Sequence, residues 1–570
     1  MNSSTYFSLT KRLGLLTLVF AIVSFAIILR LLDRAVLGNG LAEAKSQSQA
    51  TVAVKLNPFR GHILVHGSAK NTVALALNEP RVRLDIVPKN VKDKAKVARI
   101  LAPLIGMSEP ELFSTINNDK PYIPPIKRDL SLEVEQKIND LRFVGVATSH
   151  EAWRAYPEGS LASQVLGFVN GEGNGQYGAE GFFDSQLQGI SSSVVGERDG
   201  WGNTFVDKTK SNGNKGADVV MSIDRDVQVI VEQALKRAIE KFSAKSGSVT
   251  IIEPSTGKVV AMAGAPSFDP NMYNEVKDEE QGNFKNPVIS RTFEAGSVMK
   301  AISIASALDS GRIKKDDIGV YGSSVQVDNY EINTAQNKAF GRESVADILV
   351  NSDNVAMVDI SKKLGRELMF DYMNRFNFAR KTGIDLDTEV EGSIPPLKSW
   401  RDIHAATIAF GQGITVTPLQ MAMAYAAIAN KGVYMQPYVV DEIHYPDGRK
   451  DIIEPKPGKR VVGEQAASDV KDMLIEVVTR GHGKKAGVAG YDVAGKTGTA
   501  QIAKTDGSGY EEGKNNGSFA GFAPANDPKF AMFVTLEEPQ GVEFAESSAA
   551  PLWGEIAEYL LKTHYRVKAK

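Results

Sequence analysis

The 570-residue sequence contains no cysteine, and its seven histidines are scattered with no metal-binding spacing such as His-x-x-x-His. The lack of cysteine excludes disulfide bonds, thiolate nucleophiles and cysteine-ligated metals. If the chain is an enzyme, we therefore expect one that works without a metal or other cofactor.

Neither sign of charge predominates, since 66 Lys and Arg residues stand against 68 Asp and Glu residues, a formal net charge of -2. A protein that binds nucleic acid through phosphates usually carries a basic surplus, so nothing here indicates a nucleic-acid partner. The contents of 42% hydrophobic and 24% charged residues are typical of globular domains and argue against wholesale disorder. The length is sufficient for two or more domains.

One long apolar run lies near the amino terminus. Residues 13–29 carry no charge, and Leu31 and Leu32 can extend the run to a membrane anchor over residues 13–32. A cleaved signal peptide is the alternative, but its apolar region is usually shorter, and the cleavage-like Ala42-Glu43-Ala44 lies well beyond the run. The length favours an uncleaved, single-pass membrane anchor. Basic residues flank both ends of the run, but a long domain that follows a short basic amino terminus usually lies outside. We therefore expect residues 1–12 to be cytoplasmic and the remainder to be extracytoplasmic.

Local patterns predict the following elements. Alternating residues predict strands over 73–77, 82–87 and 218–224, and a short strand over 491–493. Helical periodicity predicts helices over 91–104, 109–116, 131–141 and 227–242. The glycine, serine and asparagine content of residues 159–216 predicts mainly loops.

A serine three residues before a lysine occurs four times, at Ser8, Ser255, Ser297 and Ser468. On a helix this spacing places a hydroxyl and an amine on one face, and such a pair can activate serine as a nucleophile. Ser297 follows Gly296 and begins a buried helical run that ends near Ala307, so an oxyanion could be stabilised by the helix amino terminus. Taken alone, the alternative that Ser297 only caps the helix is favoured.

Two further clusters could contribute to the same site. Ser352-Asp353-Asn354 lies between two helical stretches, and a turn would be needed for Ser352 and Asn354 to point the same way. Gly495-Lys496-Thr497-Gly498-Thr499-Ala500 has small residues that would let a peptide pair with an exposed strand. A second Lys-Thr-Gly begins at Lys381 but lacks the second threonine and the small flanking residues.

Together and in this order, the three clusters match the Ser-x-x-Lys, Ser-Asp-Asn and Lys-Thr-Gly signature of β-lactamases and penicillin-binding proteins. The intervals are 55 residues from Ser297 to Ser352 and 144 from Ser352 to Lys496. With Gly411-Gln412-Gly413, Tyr156-Pro157 and Gly178-x-Glu180, the chain resembles class B, monofunctional penicillin-binding proteins along nearly its whole length. Ala295 stands where the family usually has proline, which could alter the loop before Ser297.

The resemblance implies an α+β, multidomain fold. It places an elongated, mixed pedestal (dimerisation) domain at residues 45–215 and a transpeptidase domain at residues 216–565. The latter would be β-lactamase-like, with an antiparallel sheet flanked by helices.

The resemblance also implies a function, the D,D-transpeptidase reaction that crosslinks peptidoglycan stem peptides and is inhibited by β-lactams. Ser297 would be the nucleophile, Lys300 the general base and Ser352 the proton relay. The other implied site residues bind substrate: Asn354 its backbone, and Lys496, Thr497, Gly498 and Thr499 its carboxylate region. Backbone N–H groups of Ser297 and Thr499 would form the oxyanion hole.

Implied partners are a polytopic glycan polymerase and other division or elongation membrane proteins, and the compact pedestal favours division. A β-lactamase or D,D-carboxypeptidase, in which water resolves the acyl-enzyme, is a second hypothesis. A β-lactam-binding sensor or scaffold without catalysis is a third. The anchor and pedestal disfavour the second, and the complete serine–lysine set disfavours the third.

Overall fold

The computed structural model describes residues 3–33, 51–56, 59–67, 71–189, 192–198, 204–205, 215–456, 458–504 and 509–570. The chain divides into two compact units. One comprises residues 1–58 and 190–215, and the other comprises residues 59–189 and 216–570.

The first unit contains the amino-terminal helix Ser3–Leu32. Its segment Lys11–Leu32 has a mean hydropathy of 2.7 and no buried side chains, and its 22 residues are long enough to cross a membrane. At 1.5 Å per residue the segment spans roughly 33 Å, about the thickness of the hydrocarbon core. The expected apolar span is therefore present as one helix, while Ala42-Glu43-Ala44 lies outside the described residues.

The same unit contains an antiparallel three-stranded sheet, in the order Thr51–Leu56, Ser192–Arg198 and Thr204–Phe205. Two of these strands fall within residues 159–216, for which the composition predicts mainly loops. That prediction is wrong for Ser192–Arg198, whose sequence has no alternating pattern and resembles a loop by its serine and glycine content.

Residues 59–189 of the second unit form mixed α and β structure. Their strands are Ile63–His66, Thr72–Ile86, Lys127–Leu130, Val146–Ala155, Phe168–Val169 and Gly175–Gln176. Their helices are Lys94–Ile105, Glu109–Ile116, Leu132–Asp140, Ser163–Leu166, Gly178–Phe182 and Asp184–Leu187. The strands predicted over 73–77 and 82–87 are in fact one strand, which continues through Pro80 opposite Ala152.

One sheet joins this region to the rest of the unit. Asp218–Asp224 pairs in parallel with Ile63–His66 and antiparallel with Val440–His444, which in turn pairs with Lys450–Ile452. The side chains reinforce the connection, since His66 Nε2 and Lys258 Nζ each lie 2.6 Å from Asp441 Oδ2. Residues from distant parts of the sequence therefore share one hydrogen-bonded framework.

Beside this sheet lies a buried network of charges. Glu180 is fully buried and accepts hydrogen bonds from Arg60 Nε at 2.7 Å and Arg154 Nε at 2.6 Å. Arg60 Nη1 also donates to Asp184 at 2.7 Å, and the Tyr156 hydroxyl donates to Glu180 at 3.2 Å. Burial alone would raise the pKa of Glu180, but the two guanidinium groups outweigh it and hold the pKa below its usual value.

The active-site region is built on a five-stranded sheet. Its order is Val259–Ala265, Ser246–Ile252, Phe530–Glu537, Tyr510–Ala523 and Ala494–Ala503, and every neighbouring pair is antiparallel. Arg225–Phe242 and Ala549–Tyr559 pack on one face, and Met299–Asp309 and Pro418–Ala429 pack on the other. The expected antiparallel sheet flanked by helices is confirmed.

The remaining elements surround the second face. The helices are Pro287–Ser290, Val345–Asn351, Asn354–Leu364, Arg366–Arg375, Asp402–Ala409 and Glu464–Arg480. The paired short strands are Phe293–Glu294 with Thr415–Val416, Ile318–Tyr321 with Gly341–Ser344, Ser324–Val327 with Tyr330–Asn333, and Val433–Tyr434 with Lys459–Arg460.

The buried charge network supplies a stability prediction. Glu180→Ala leaves the buried guanidinium group of Arg154 without its carboxylate and that of Arg60 with Asp184 alone, which should lower the free energy of unfolding by about 3–5 kcal/mol. Urea denaturation of the full-length protein in detergent measures this change. Glu172→Ala, at an exposed glutamate, should change it by less than about 0.5 kcal/mol. Equal stabilities of the two variants would contradict the network's role.

Candidate active site

Ser297 lies in a tight turn at the start of a buried helix. The turn Gly296–Val298 leads directly into Met299–Asp309, whose residues 299–307 are all buried. The Tyr425 hydroxyl donates to the carbonyl of Val298 at 2.9 Å. The structure shows no side-chain cap at the start of either element, so Ser297 does not act as a helix cap.

Gly296 and Gly411 hold this turn in place through close backbone contact. The Gly296 N–H donates to the Gly411 carbonyl at 3.0 Å, and both glycines have positive φ, +60° and +89°. A Cβ added to Gly411 would overlap the backbone of Gly296. The loop containing Gly411 therefore supports Gly296, the residue before Ser297. In the sequence, this loop is recognised only by its similarity to the family.

Ala295 keeps the backbone conformation that a proline would impose. Its φ is -59°, inside the range that the proline ring fixes, and its side chain is fully buried. The neighbouring Glu294 carboxylate accepts hydrogen bonds from the Gly413 N–H at 2.9 Å and the Tyr510 hydroxyl at 3.0 Å. The loop before Ser297 is thus fixed without the usual proline.

Lys300 lies one helical turn after Ser297 and is fully buried. Its Nζ lies 2.6 Å from the Ser352 carbonyl oxygen, 2.7 Å from Asn354 Oδ1 and 3.1 Å from Ser352 Oγ. Burial, together with the positive charge of Lys496, holds the pKa of Lys300 well below its usual value. The amine is therefore available in its neutral form far more readily than that of an exposed lysine.

The left-handed backbone conformation of Ser352 allows the side chains of Ser352 and Asn354 to point to the same site. Ser352 ends the helix Val345–Asn351 with φ +55°, and Asn354 begins the next helix. Between them, Asp353 Oδ1 accepts from the backbone N–H groups of Val355 and Ala356 and caps that helix. Both functional side chains consequently reach Lys300 although they are only two residues apart.

Lys496 reaches the same serine from the sheet. It lies on the edge strand Ala494–Ala503, is fully buried, and its Nζ donates to Ser352 Oγ at 3.1 Å and to the Thr497 carbonyl at 3.0 Å. Burial lowers the pKa of Lys496 to about 7. The predicted strand over 491–493 is wrong, since the strand begins at Ala494, and the predicted exposure of the strand is also wrong for residues 494–498.

The hydroxyl of Ser352 occupies the centre of the site. It donates to Ser297 Oγ at 3.0 Å and lies within hydrogen-bonding distance of both lysine amines. A serine hydroxyl can donate one hydrogen bond and accept two, so these three contacts use its full capacity. The Ser352 hydroxyl thus connects Ser297 to two amines of lowered pKa, and a proton can pass through it between Ser297 and either amine.

Hydrogen bonds from Ser518 and Ala545 fix the rest of the Lys-Thr-Gly stretch. The Ser518 hydroxyl donates to the Gly498 carbonyl at 3.3 Å, and a Cβ on Gly498 would meet that hydroxyl. Thr499 Oγ1 accepts from the Ala545 N–H at 3.2 Å, which leaves its own proton available for a ligand. Thr499 is partly exposed, in contrast to Thr497.

The other occurrences of the serine–lysine and Lys-Thr-Gly patterns lie elsewhere in the fold. Ser255 lies in the turn between the strands Ser246–Ile252 and Val259–Ala265, and Ser468 lies on the helix Glu464–Arg480. The second Lys-Thr-Gly is a turn in which Glu389 accepts hydrogen bonds from the Thr382 N–H and hydroxyl. The site residues that the sequence analysis missed are Tyr425 and Ser518, which have no distinguishing pattern in the sequence.

Comparison with known proteins agrees with the geometry. Residues 247–558 match the penicillin binding protein transpeptidase domain, and residues 55–221 match the penicillin-binding protein dimerisation domain. Stage V sporulation protein D of Bacillus subtilis is 34% identical over 557 residues, which cover 96% of this chain and 84% of that protein. Peptidoglycan D,D-transpeptidase FtsI of Escherichia coli K12 is 30% identical over 500 residues, covering 86% and 82%.

Solved structures show the same architecture. A peptidoglycan synthetase from Bifidobacterium adolescentis aligns with a TM-score of 0.71, and penicillin binding protein 3 of Mycobacterium tuberculosis complexed with aztreonam aligns with 0.70. Each is 26% identical and covers 91% of this chain and 98% of its own. The chain belongs to the class B penicillin-binding proteins of the division and sporulation type.

The Gly296–Gly411 contact can be tested with two matched substitutions. Gly411→Ala and Gly448→Ala both place alanine at φ +89°, but only the first adds a Cβ that overlaps backbone, since nothing lies within 4 Å of a Cβ at Gly448. We expect Gly411→Ala to lower the free energy of unfolding by about 1–3 kcal/mol more than Gly448→Ala, as for overpacked cores. Urea denaturation measures the difference, and equal effects would show that the contact is not tight.

The buried amine of Lys496 should make the protein less stable than a neutral replacement would. The folded-state pKa of about 7 lies below the ordinary value of 10.5, so the penalty is full below about pH 7 and disappears as pH rises towards 10.5. Lys496→Met should therefore raise the free energy of unfolding at neutral pH by several kcal/mol, about 1.4 for each pKa unit. The gain should shrink between about pH 7 and 10 in urea denaturation. A gain independent of pH would contradict the lowered pKa.

Proposed function

We propose that this chain is a membrane-anchored peptidoglycan D,D-transpeptidase that works through a Ser297 acyl-enzyme. The observation that carries this proposal is the Ser352 hydroxyl, placed within 3.1 Å of both amines and 3.0 Å from Ser297 Oγ. The named peptidoglycan D,D-transpeptidases among its relatives support the reaction class.

Acylation begins with a proton transfer from Ser297. A neutral lysine amine has two N–H donors and one lone pair. Lys300 can therefore donate to the Ser352 carbonyl and to Asn354 Oδ1. Its lone pair can accept the Ser352 proton once that hydroxyl rotates away from Ser297 Oγ, and the Ser297 hydroxyl then donates to Ser352 Oγ. The proton of Ser297 Oγ passes to Ser352 while the Ser352 proton passes to Lys300. Ser297 Oγ then attacks the carbonyl carbon between the two terminal D-alanines.

Collapse of the tetrahedral intermediate breaks the C–N bond, and the departing D-alanine amine takes the proton back through Ser352. Backbone N–H groups of Ser297 and Thr499 hold the developing oxyanion. The amine of a neighbouring stem peptide then attacks the acyl carbon, the crosslink forms, and the proton returns to Ser297. A β-lactam acylates Ser297 in the same way, but its ring-opened product stays attached.

Substrate binds along the edge strand. Ala494–Ala503 is the last strand of its sheet, so a stem peptide can add to it through backbone hydrogen bonds. Lys496, Thr497 and Thr499 provide an amine and two hydroxyls for the terminal carboxylate, and Gly498 lets the peptide approach. Asn354 holds the substrate backbone on the opposite side.

The anchor sets the location of this chemistry. The short amino terminus stays in the cytoplasm, and the domains after Lys11–Leu32 lie outside the inner membrane, where peptidoglycan is found. Residues 45–215 act as the pedestal and residues 216–565 as the transpeptidase domain. A polytopic glycan polymerase and division proteins are the partners that this arrangement would serve.

The nucleophile can be tested with two serines of the same local pattern. Full-length protein in detergent should be labelled covalently by fluorescent penicillin, and Ser297→Ala should abolish the label because no acyl-enzyme can form. Ser468→Ala also removes a serine three residues before a lysine, yet it should keep full labelling. Fluorescence in a denaturing gel measures the adduct. Labelling that survives Ser297→Ala would overturn the assignment.

The fate of the adduct separates the transpeptidase from a hydrolase. We expect the penicilloyl adduct to persist and the protein to join two stem peptides when an acceptor amine is present. Mass spectrometry of the peptide products measures both outcomes. Rapid release of opened penicillin, or D-alanine release without crosslinks, would assign a β-lactamase or a carboxypeptidase instead.

A further inference from the structure

A buried carboxyl pair lies directly behind the site, and the reaction described above does not use it. Glu343, on the strand Gly341–Ser344, is 2% exposed, and Asp353, between Ser352 and Asn354, is fully buried. The two carboxyl groups lie within hydrogen-bonding reach of each other. Such a pair is expensive to bury if both groups are ionised.

One oxygen of each carboxyl group is otherwise unsatisfied. Within the described residues, Glu343 Oε2 and Asp353 Oδ2 are buried and receive no hydrogen bond from an N–H or hydroxyl group. A single proton shared between them would satisfy both atoms. Because buried polar atoms are almost always hydrogen-bonded, two carboxyl oxygens without a donor indicate that one of the two carboxyl groups is protonated.

The surroundings place that proton on Glu343. Asp353 Oδ1 accepts two backbone N–H groups, at 2.7 and 3.2 Å, at the positive end of a helix, and this favours its ionised form. Glu343 Oε1 accepts only the side-chain amide of Asn351, at 2.8 Å. Burial and the neighbouring Asp353 raise the pKa of Glu343 to about 7.

The carboxyl pair is connected to the catalytic residues through the backbone of Asp353. Asp353 is covalently joined to Ser352 and Asn354, the two residues whose oxygen atoms surround Lys300 Nζ. Negative charge on Asp353 and Glu343 raises the pKa of Lys300, against the lowering by burial and Lys496. The ionisation of Glu343 would therefore reduce the neutral fraction of Lys300.

Other titratable or charged side chains lie near Glu343 and Asp353, but none of them supplies the missing hydrogen bond between the two carboxyl groups. The titratable or charged side chains that interact with the pair, or with a neighbour of it, are Lys300, Tyr321, Asp347, Asp359 and Arg480. Asp347 is held by Arg480 at 2.8 Å, and the Tyr321 hydroxyl donates to Asp359 at 2.9 Å. Both are therefore engaged elsewhere.

We propose that Glu343 is a positioning residue whose carboxylic acid donates to Asp353, holding Ser352 and Asn354 around Lys300 while keeping a second negative charge from that amine. This inference rests on the proposed acyl transfer at Ser297. Glu343 itself touches no substrate; it acts through Asp353. Its effect should be visible as a pH dependence that isosteric glutamine removes.

The first test compares acylation rates with fluorescent penicillin for the full-length wild type and Glu343→Gln, in detergent. Glutamine keeps a donor for Asp353 but cannot ionise. The ratio of variant to wild-type rate should be near 1 at about pH 5.5 and rise severalfold by about pH 8.5, since Glu343 ionises between them. The titrations of Lys496 and of the dye cancel in the ratio. A ratio that does not change with pH would overturn the proposal.

Two further substitutions sharpen this test. Glu343→Ala leaves Asp353 Oδ2 without a donor and should slow acylation roughly tenfold at low pH. Glu331→Gln, at an exposed glutamate on the strand Tyr330–Asn333 that precedes it in the chain, should keep the wild-type rate at every pH. Wild-type rates for Glu343→Ala would overturn the proposal, and if this variant fails to fold, the glutamine variant alone decides.

A second readout needs no penicillin. A carboxyl group with a raised folded-state pKa stabilises the protein below its unfolded pKa, and that stability is lost as pH rises through the folded value. The thermal midpoint of the wild type should therefore fall more than that of Glu343→Gln between about pH 5 and 8. Parallel curves would refute the shared proton. If the proposed function failed, labelling would be absent while this difference remained.

Discussion

The site depends on burying two lysine amines next to one serine hydroxyl. An ammonium group is costly to remove from water, so burial lowers the pKa values of Lys300 and Lys496, and the charge of Lys496 lowers the pKa of Lys300 further. The fold supplies the compensating stability. A helix buried over residues 299–307 holds Lys300, an edge strand holds Lys496, and both amines lie within hydrogen-bonding distance of Ser352 Oγ.

Much of this arrangement could be predicted from residue order. The three clusters in sequence, with their intervals, predicted that Ser297, Lys300, Ser352 and Lys496 belong together, and the structure brings them within hydrogen-bonding distance. The apolar run predicted the amino-terminal helix, and periodicity predicted the helices near residues 109–116 and 227–242. In each case the signal is local, or it is a known family signature.

The remainder depends on contacts between distant residues that no local pattern reveals. The parallel pairing of Ile63–His66 with Asp218–Asp224 joins segments about 150 residues apart, which periodicity cannot detect. Tyr425 lies in an apolar helix like any core residue, and only the fold brings its hydroxyl to Val298. The Glu343–Asp353 pair likewise becomes visible only in the fold, which buries Glu343 Oε2 and Asp353 Oδ2 without a donor among the described residues. Alanine at position 295 could alter the loop before Ser297, but its backbone conformation in the structure is one that proline also adopts.

Peptide mapping after reaction with penicillin decides whether Ser297 is the nucleophile, because it locates the covalent bond itself. Trypsin cleavage after Arg291 and Lys300 releases residues 292–300, in which Ser297 is the only serine. We expect a penicilloyl group on Ser297 in that peptide. A penicilloyl group on any other residue, or no covalent adduct at all, would contradict this assignment.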